Sequence, residues 1–197
     1  MLHVDRHHRK GYARLVTIAL TIEHGPHAGL PRAEVLRRIK AMIRLLQLEK
    51  AEVSFVLTDD KRIHELNKVY RGKDHPTDVL AFAMHEGEFG ALAGSLLGDV
   101  IVSVPTARKQ ALSAGTPVLA EVTMLLAHGL LHLLGWDHRT DAEDRRMRAE
   151  TGRLCAAAAP VSAARAGGTP RSKEGASKAL SHKRAAGAPA RRRAKGQ

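Results

Sequence analysis

An α/β or α+β domain, with helices layered against one sheet, is the fold class this sequence predicts, and three observations carry the expectation. Four short stretches have strand-like apolar patterns, five longer ones have apolar residues at helical spacing, and the two kinds interleave along the chain. The hydrophobic share of 44% is that of ordinary globular domains and is mostly aliphatic, since aromatics are 3% of 197 residues. That composition excludes a wholly disordered polypeptide and an aromatic stacking platform. The length suits one domain. The single cysteine, Cys155, excludes an internal disulfide and a Cys-rich zinc cage.

The elements follow in order. Leu15, Thr17, Ala19 and Thr21 alternate with Val16, Ile18, Leu20 and Ile22, giving a strand with one strongly apolar face. From Leu30 to Leu48, Pro31 at a helix start precedes Val35, Leu36, Ile39, Met42, Ile43 and Leu46 at helical spacing. Val53 to Leu57 is a second strand, and Thr58 or Asp59 caps a helix through about Tyr70. A polar turn with Gly72, Lys73, Asp74 and Pro76 leads to a third strand from Asp78 to about Met84. A loop with Gly87, Gly90 and Gly94 precedes a fourth, Leu97 to Val104, after which Pro105 opens a helix carrying Ala107 to Ala111. Pro117 starts a long apolar helix to about Leu134, closed by Gly135, and a charged helix from Asp141 to about Cys155 ends the domain.

The charge is placed unevenly. Residues 160–197 carry ten basic side chains against one acid, Glu174, and so +9 of the net charge of +12. They hold almost no large apolar side chain beyond Val161 and Leu180. Such a segment buries too little to offset its ordering entropy, so 1–159 is the expected folded domain and 160–197 a disordered basic tail. The tail is read either as an electrostatic arm for nucleic acid or as a solubilising segment. No apolar run approaches the roughly 18 residues of a membrane span, and Leu15 to Ile22 lacks a signal-peptide cleavage site. A soluble, cytoplasmic protein without a membrane partner is expected.

The chemistry is concentrated in residues 128–138, His-Gly-Leu-Leu-His-Leu-Leu-Gly-Trp-Asp-His. His128 and His132 lie four apart in a helical pattern, so both imidazoles leave one face, as two ligands of a single metal ion must. Gly135 lets the chain turn out of the helix and bring His138 back. Three neutral imidazoles with a fourth position open describe a catalytic zinc site with one Zn2+ per chain, whereas a structural site closes all four positions. A metal there lowers the pKa of a water to about 7 and so supplies a nucleophile at neutral pH. The other reading of such a pair is chance, and His3, His7, His8, His24, His27 and His182 sit in polar or terminal stretches that suit solvated surface.

Three segments in order, Leu66 to Phe82 (LNKVYRGKDHPTDVLAF), Leu97 to Ser103 (LGDVIVS) and the triple-histidine stretch, resemble the YbeY family of metal-dependent endoribonucleases, also called ribosomal RNA maturation factors. The resemblance spans about residues 15 to 155. It implies a single α+β domain, a small mixed sheet of about four strands packed with about five helices, and zinc held by His128, His132 and His138. It implies action on single-stranded RNA, processing of the 3′ end of small-subunit ribosomal RNA and ribosome quality control, with ribosomal RNA and the small ribosomal subunit as partners. Arg71 matches the family's arginine in the active cleft, and its planar fork suits phosphate. Without the resemblance, Arg71 reads as a surface arginine at a helix C-terminus. Trp136 stands where the family usually has Tyr, and Ala81 and Ala83 replace the usual Ser and Pro.

The spacing also resembles the His-Glu-x-x-His-x-x-Gly-x-x-His of metzincin proteases, but Gly129 stands where their catalytic Glu does, which removes the general base. A ribosome-assembly binding factor with a structural zinc is the main alternative function. Among nearby acids, Asp78 and Asp99 enter strands and are candidates to order a histidine or a water. Asp137 is expected to partner an imidazole. Glu121, seven residues before His128, is a candidate for the same helix side, against the commoner solvated position.

Overall fold

The computed structural model describes residues 17–84 and 94–160. Four strands, β1 (Thr17–Ile22), β2 (Glu52–Thr58), β3 (Val79–Ala83) and β4 (Leu96–Ser103), form one sheet in the order β1-β2-β4-β3. β1 pairs parallel with β2 and β2 parallel with β4, while β3 runs antiparallel to β4 at the edge. The sheet is therefore mixed. Five helices lie among the described residues: α1 (Arg32–Leu45), α2 (Asp60–Arg71), α3 (Val104–Ala114), α4 (Val118–Leu133) and α5 (Asp141–Ala158). This is the α+β arrangement of four strands and five helices expected above.

Period-two burial decides which side each strand presents. Leu20, Val53, Phe55, Leu57, Val100 and Val102 enter one large core with Ile39, Met42, Leu126, Leu130, Met147 and Leu154 from α1, α4 and α5. The opposite face is covered more thinly, where Ile63 of α2 meets Leu80 and Ile101, with Val56, Leu66 and Phe82 packed around them. α4 lies across β3 and β4 in the thick layer, which explains why it is apolar over most of its circumference.

The caps match the sequence. Asp59 accepts the Arg62 backbone N–H at 2.8 Å, the Ser103 hydroxyl accepts that of Thr106, and Thr140 with Glu143 forms a capping box on α5. α2 ends at Gly72, whose φ of 65° lets its N–H reach the Lys68 carbonyl while the Lys73 N–H reaches that of Asn67. Buried Asn67 then donates from Nδ2 to the His75 carbonyl at 2.8 Å, pinning the turn that carries the chain into β3.

Boundaries differ from expectation by a few residues. α1 begins after Pro31 and stops at Leu45, and α5 continues three residues past Cys155. Leu15 and Val16 of the first strand, Gly87 and Gly90 of the loop, His3, His7, His8 and His182, and the basic segment from residue 161 onward lie outside the described residues. Among the described residues no single helix is long and apolar enough to cross a membrane.

Candidate metal centre

α4 is buried on most sides but leaves one half-buried stripe, formed by Glu121, Met124, His128 and His132 at spacings of three and four. The helix then stops. The Gly135 N–H bonds the His132 carbonyl and the Trp136 N–H the Leu131 carbonyl, with Gly135 at φ 79°. The reversed chain brings exposed His138 back against the stripe. One ligating nitrogen from each of the three histidines lies within 4.8 Å of the others. The Nε2 atoms of His128 and His132 are 3.2 Å apart.

Electrostatics prepares these rings for a cation. Burial, then the neighbouring His132 and His138, push the pKa of His128 down from 6.5 to about 4. Burial and His138 also lower that of His132, and the positive charge of Arg71 contributes. Both shifts favour the neutral imidazole, whose lone pair a metal ion needs. That donor set fits a divalent metal with an open position.

Gly129, between His128 and His132, is dictated by packing. A Cβ there would lie 2.5 Å from Cγ1 of Val100 and 3.3 Å from Cγ2 of Val79. α4 is seated so closely on β3 and β4 that a glutamate at this position would drive its chain into the sheet. The missing protease base is therefore built into the helix–sheet contact, and not only into the sequence.

Arg71, the last residue of α2, is exposed and makes no hydrogen bond or ion pair with any described residue. Its charge is nevertheless close enough to act on His132. Asp78, just before β3, accepts from the Val79 N–H at 2.8 Å, the Thr77 hydroxyl at 3.2 Å and Nε2 of Gln110 at 2.8 Å, and its charge favours protonated His128. Glu121 is half-buried on the histidine stripe, not solvated, and burial followed by Asp78 raises its pKa.

Two expectations about acids need correction. Asp99 pairs across the ladder with Phe82, on the sheet face away from α4, and so stands outside the cluster. Asp137 makes no hydrogen bond to an imidazole among the described residues: its Oδ1 accepts the His138 backbone N–H at 2.8 Å and its other oxygen pairs with Arg139, so it acts on His132 and His138 through its charge alone. Asp144 on α5, unremarked in the sequence, is a further acid whose charge reaches His138 and His128, although it also pairs with Arg148. A helical first-turn acid is so common that spacing gives no signal for it.

Residues 29–158 match the sequence profile of the family described as Endoribonuclease YbeY. The chain belongs to the YbeY family. An Endoribonuclease YbeY of an Anaeromyxobacter species is 41% identical over 160 residues, 81% of each chain. Those of Sulfurihydrogenibium and Syntrophus aciditrophicus are 50% and 38% identical over 102 and 108 residues, spanning 52% and 55% of this chain and 66% and 68% of theirs. The solution structure of a Thermotoga maritima protein shares the fold, with a TM-score of 0.53 and 23% identity over 72% of this chain and 89% of that one. Membership in this family makes the chain an endoribonuclease, a hydrolase of RNA phosphodiester bonds. The YbeY match ends at residue 158, short of the basic segment.

Proposed function

We propose that this endoribonuclease is zinc-dependent, acts on single-stranded RNA, and matures the 3′ end of small-subunit ribosomal RNA in the cytoplasm, with a part in ribosome quality control. The convergence of three imidazoles, near an arginine with no hydrogen-bond or ion-pair partner among the described residues, carries the reading. His128, His132 and His138 would hold the ion. When bound, zinc supplies Lewis acidity that lowers the pKa of a water to about 7 and offsets negative charge on phosphate.

The chain's own groups do the rest. Arg71 donates N–H bonds to non-bridging phosphate oxygens, and its charge grows in value as negative charge builds up at phosphorus, so it stabilises the transition state more than the bound substrate. Asn67 and Gly72 fix the turn that follows Arg71. Asp78, anchored by Gln110, and Asp144 face the histidines and favour their binding a cation. A purely structural zinc in an assembly factor would leave Arg71 without a task. The proposed division is a catalytic domain over 1–159 and a basic segment over 160–197 that adds phosphate affinity. The test is His132→Ala: it should lose both zinc and cleavage of single-stranded RNA while remaining folded, and full cleavage by this variant would contradict the proposal.

A further inference from the structure

At the C-terminal end of α2, next to Arg71 in the chain and on the sheet face away from α4, lies an apolar surface that the chemistry above does not use. The inward stripe of α2 runs through Ile63 and Leu66 and ends at Tyr70, one helical turn on, where the cover over the sheet runs out. Tyr70 is 66% exposed, and its ring meets that of Phe82 in a T-shaped contact at 5.1 Å between centroids. Met84, just past the end of β3, is 38% exposed. A large aromatic left this open next to apolar neighbours is unusual in a chain with only two tyrosines.

The surroundings say what would cover it. The next residue is Arg71, placed above at the phosphate, and exposed Lys73 follows across the Gly72 turn. Lys68 lies two residues before Tyr70 and is paired with Asp74 at 3.0 Å. The Tyr70 ring, already held against Phe82, leaves an exposed aromatic surface for a nucleobase, and Arg71 and Lys73, which follow it in the chain, supply charge for the adjoining phosphates. A base inside a duplex has both faces occupied by its neighbours and cannot use such a shelf, whereas an unstacked base can.

We propose that Tyr70, a single ring and not the multi-aromatic platform that the composition excludes, stacks one base of the substrate adjacent to the phosphate held by Arg71, and that this shelf contributes to the selection of single-stranded RNA. The inference rests on the RNA-cleaving function proposed above. Stacking at a base that does not react is binding shared by ground and transition states, so its loss appears in KM and not in kcat.

The test uses the full zinc-loaded chain and single-stranded RNA oligonucleotides, including a set with one abasic position moved along the strand. Tyr70→Ala should raise KM about tenfold or more, with kcat and zinc content kept, and Tyr70→Phe should recover the affinity. One abasic position should weaken the wild-type protein by a similar factor and leave Tyr70→Ala indifferent. Unchanged KM in Tyr70→Ala, or equal sensitivity of both proteins to every abasic position, would overturn the stacking role. Loss of self-association in Tyr70→Ala without any change in RNA kinetics would also overturn it and assign the shelf to a protein contact. If the wild-type protein with zinc cleaves no RNA, the proposed function itself has failed, a result distinct from either of these.

Discussion

Gly129→Ala adds one methyl group at the contact that sets the position of α4. Its Cβ would stand 2.5 Å from Val100 Cγ1, about 0.9 Å short of ordinary contact, with Val100 Cγ2 and Val79 Cγ2 each at 3.3 Å. Val100 cannot yield easily. It is fully buried, its χ1 is stiff, and β4 is held by ladders to β2 and β3 on either side. The helix must move instead, at an overpacking cost of about 1–3 kcal/mol. Replacing a helical glycine by alanine returns about 1 kcal/mol. The net loss is about 1 kcal/mol, or about 2–4 °C in Tm. Because the displaced segment carries His128 and His132 but not His138, zinc affinity should fall as well. Thermal melts of the metal-free protein and zinc competition against a chelating dye measure both effects. The decisive control is Val100→Ala, which removes the clashing methyl groups: in that background Gly129→Ala should become stabilising by about the helix-propensity gain. A single variant that is more stable than wild type and binds zinc equally well would refute the packing account.

Three further outcomes follow from the same geometry. Arg71→Ala should lower cleavage by about a hundredfold or more with zinc content and Tm unchanged, and Arg71→Lys should restore only part, since an ammonium lacks the planar fork; wild-type kinetics from the alanine variant would return Arg71 to the helix-end role. The folded pKa of His128 lies below its ordinary 6.5, at about 4, so the unfolded chain takes up protons first. The metal-free protein should therefore lose stability as pH falls from 6.5 toward 4 and show no contribution from this group above that window, and zinc, which competes with protons for the His128 imidazole, should be released as pH falls through that range; denaturant melts and zinc titrations across pH check both. Truncation after Pro160 removes +9 of charge and should weaken RNA binding and flatten its salt dependence while leaving the zinc site intact; equal salt slopes for both forms would make the segment a solubilising one.

The part of the site that a sequence reveals is the part built locally. His128 and His132 are neighbours through helical periodicity, and Gly135 marks the reversal that returns His138, so the triad was legible from one eleven-residue stretch. Element types were legible for the same reason, since Val53 to Leu57 and Val35 to Leu46 carry unambiguous periods. The strand order β1-β2-β4-β3 was not, because register and neighbours depend on contacts between distant segments. Asp137 illustrates a local competition. Adjacent to a ligand, it suggested an imidazole partner, yet its carboxylate turns back to the His138 backbone N–H, a bond that an Asp makes with little entropy cost. Asp144 and the Gln110–Asp78 pair reach the cluster only because α5 and α3 fold back beside α4, and nothing in their spacing announces it. The reason for Gly129 was likewise invisible until Val100 was placed beneath it.

The most direct test of the account is zinc content measured alongside cleavage of a single-stranded RNA, before and after chelation and after stoichiometric zinc is returned. The account predicts about one zinc per chain, loss of cleavage on chelation with the fold retained, and recovery when the metal is restored. Full cleavage by a preparation shown to be metal-free would contradict it.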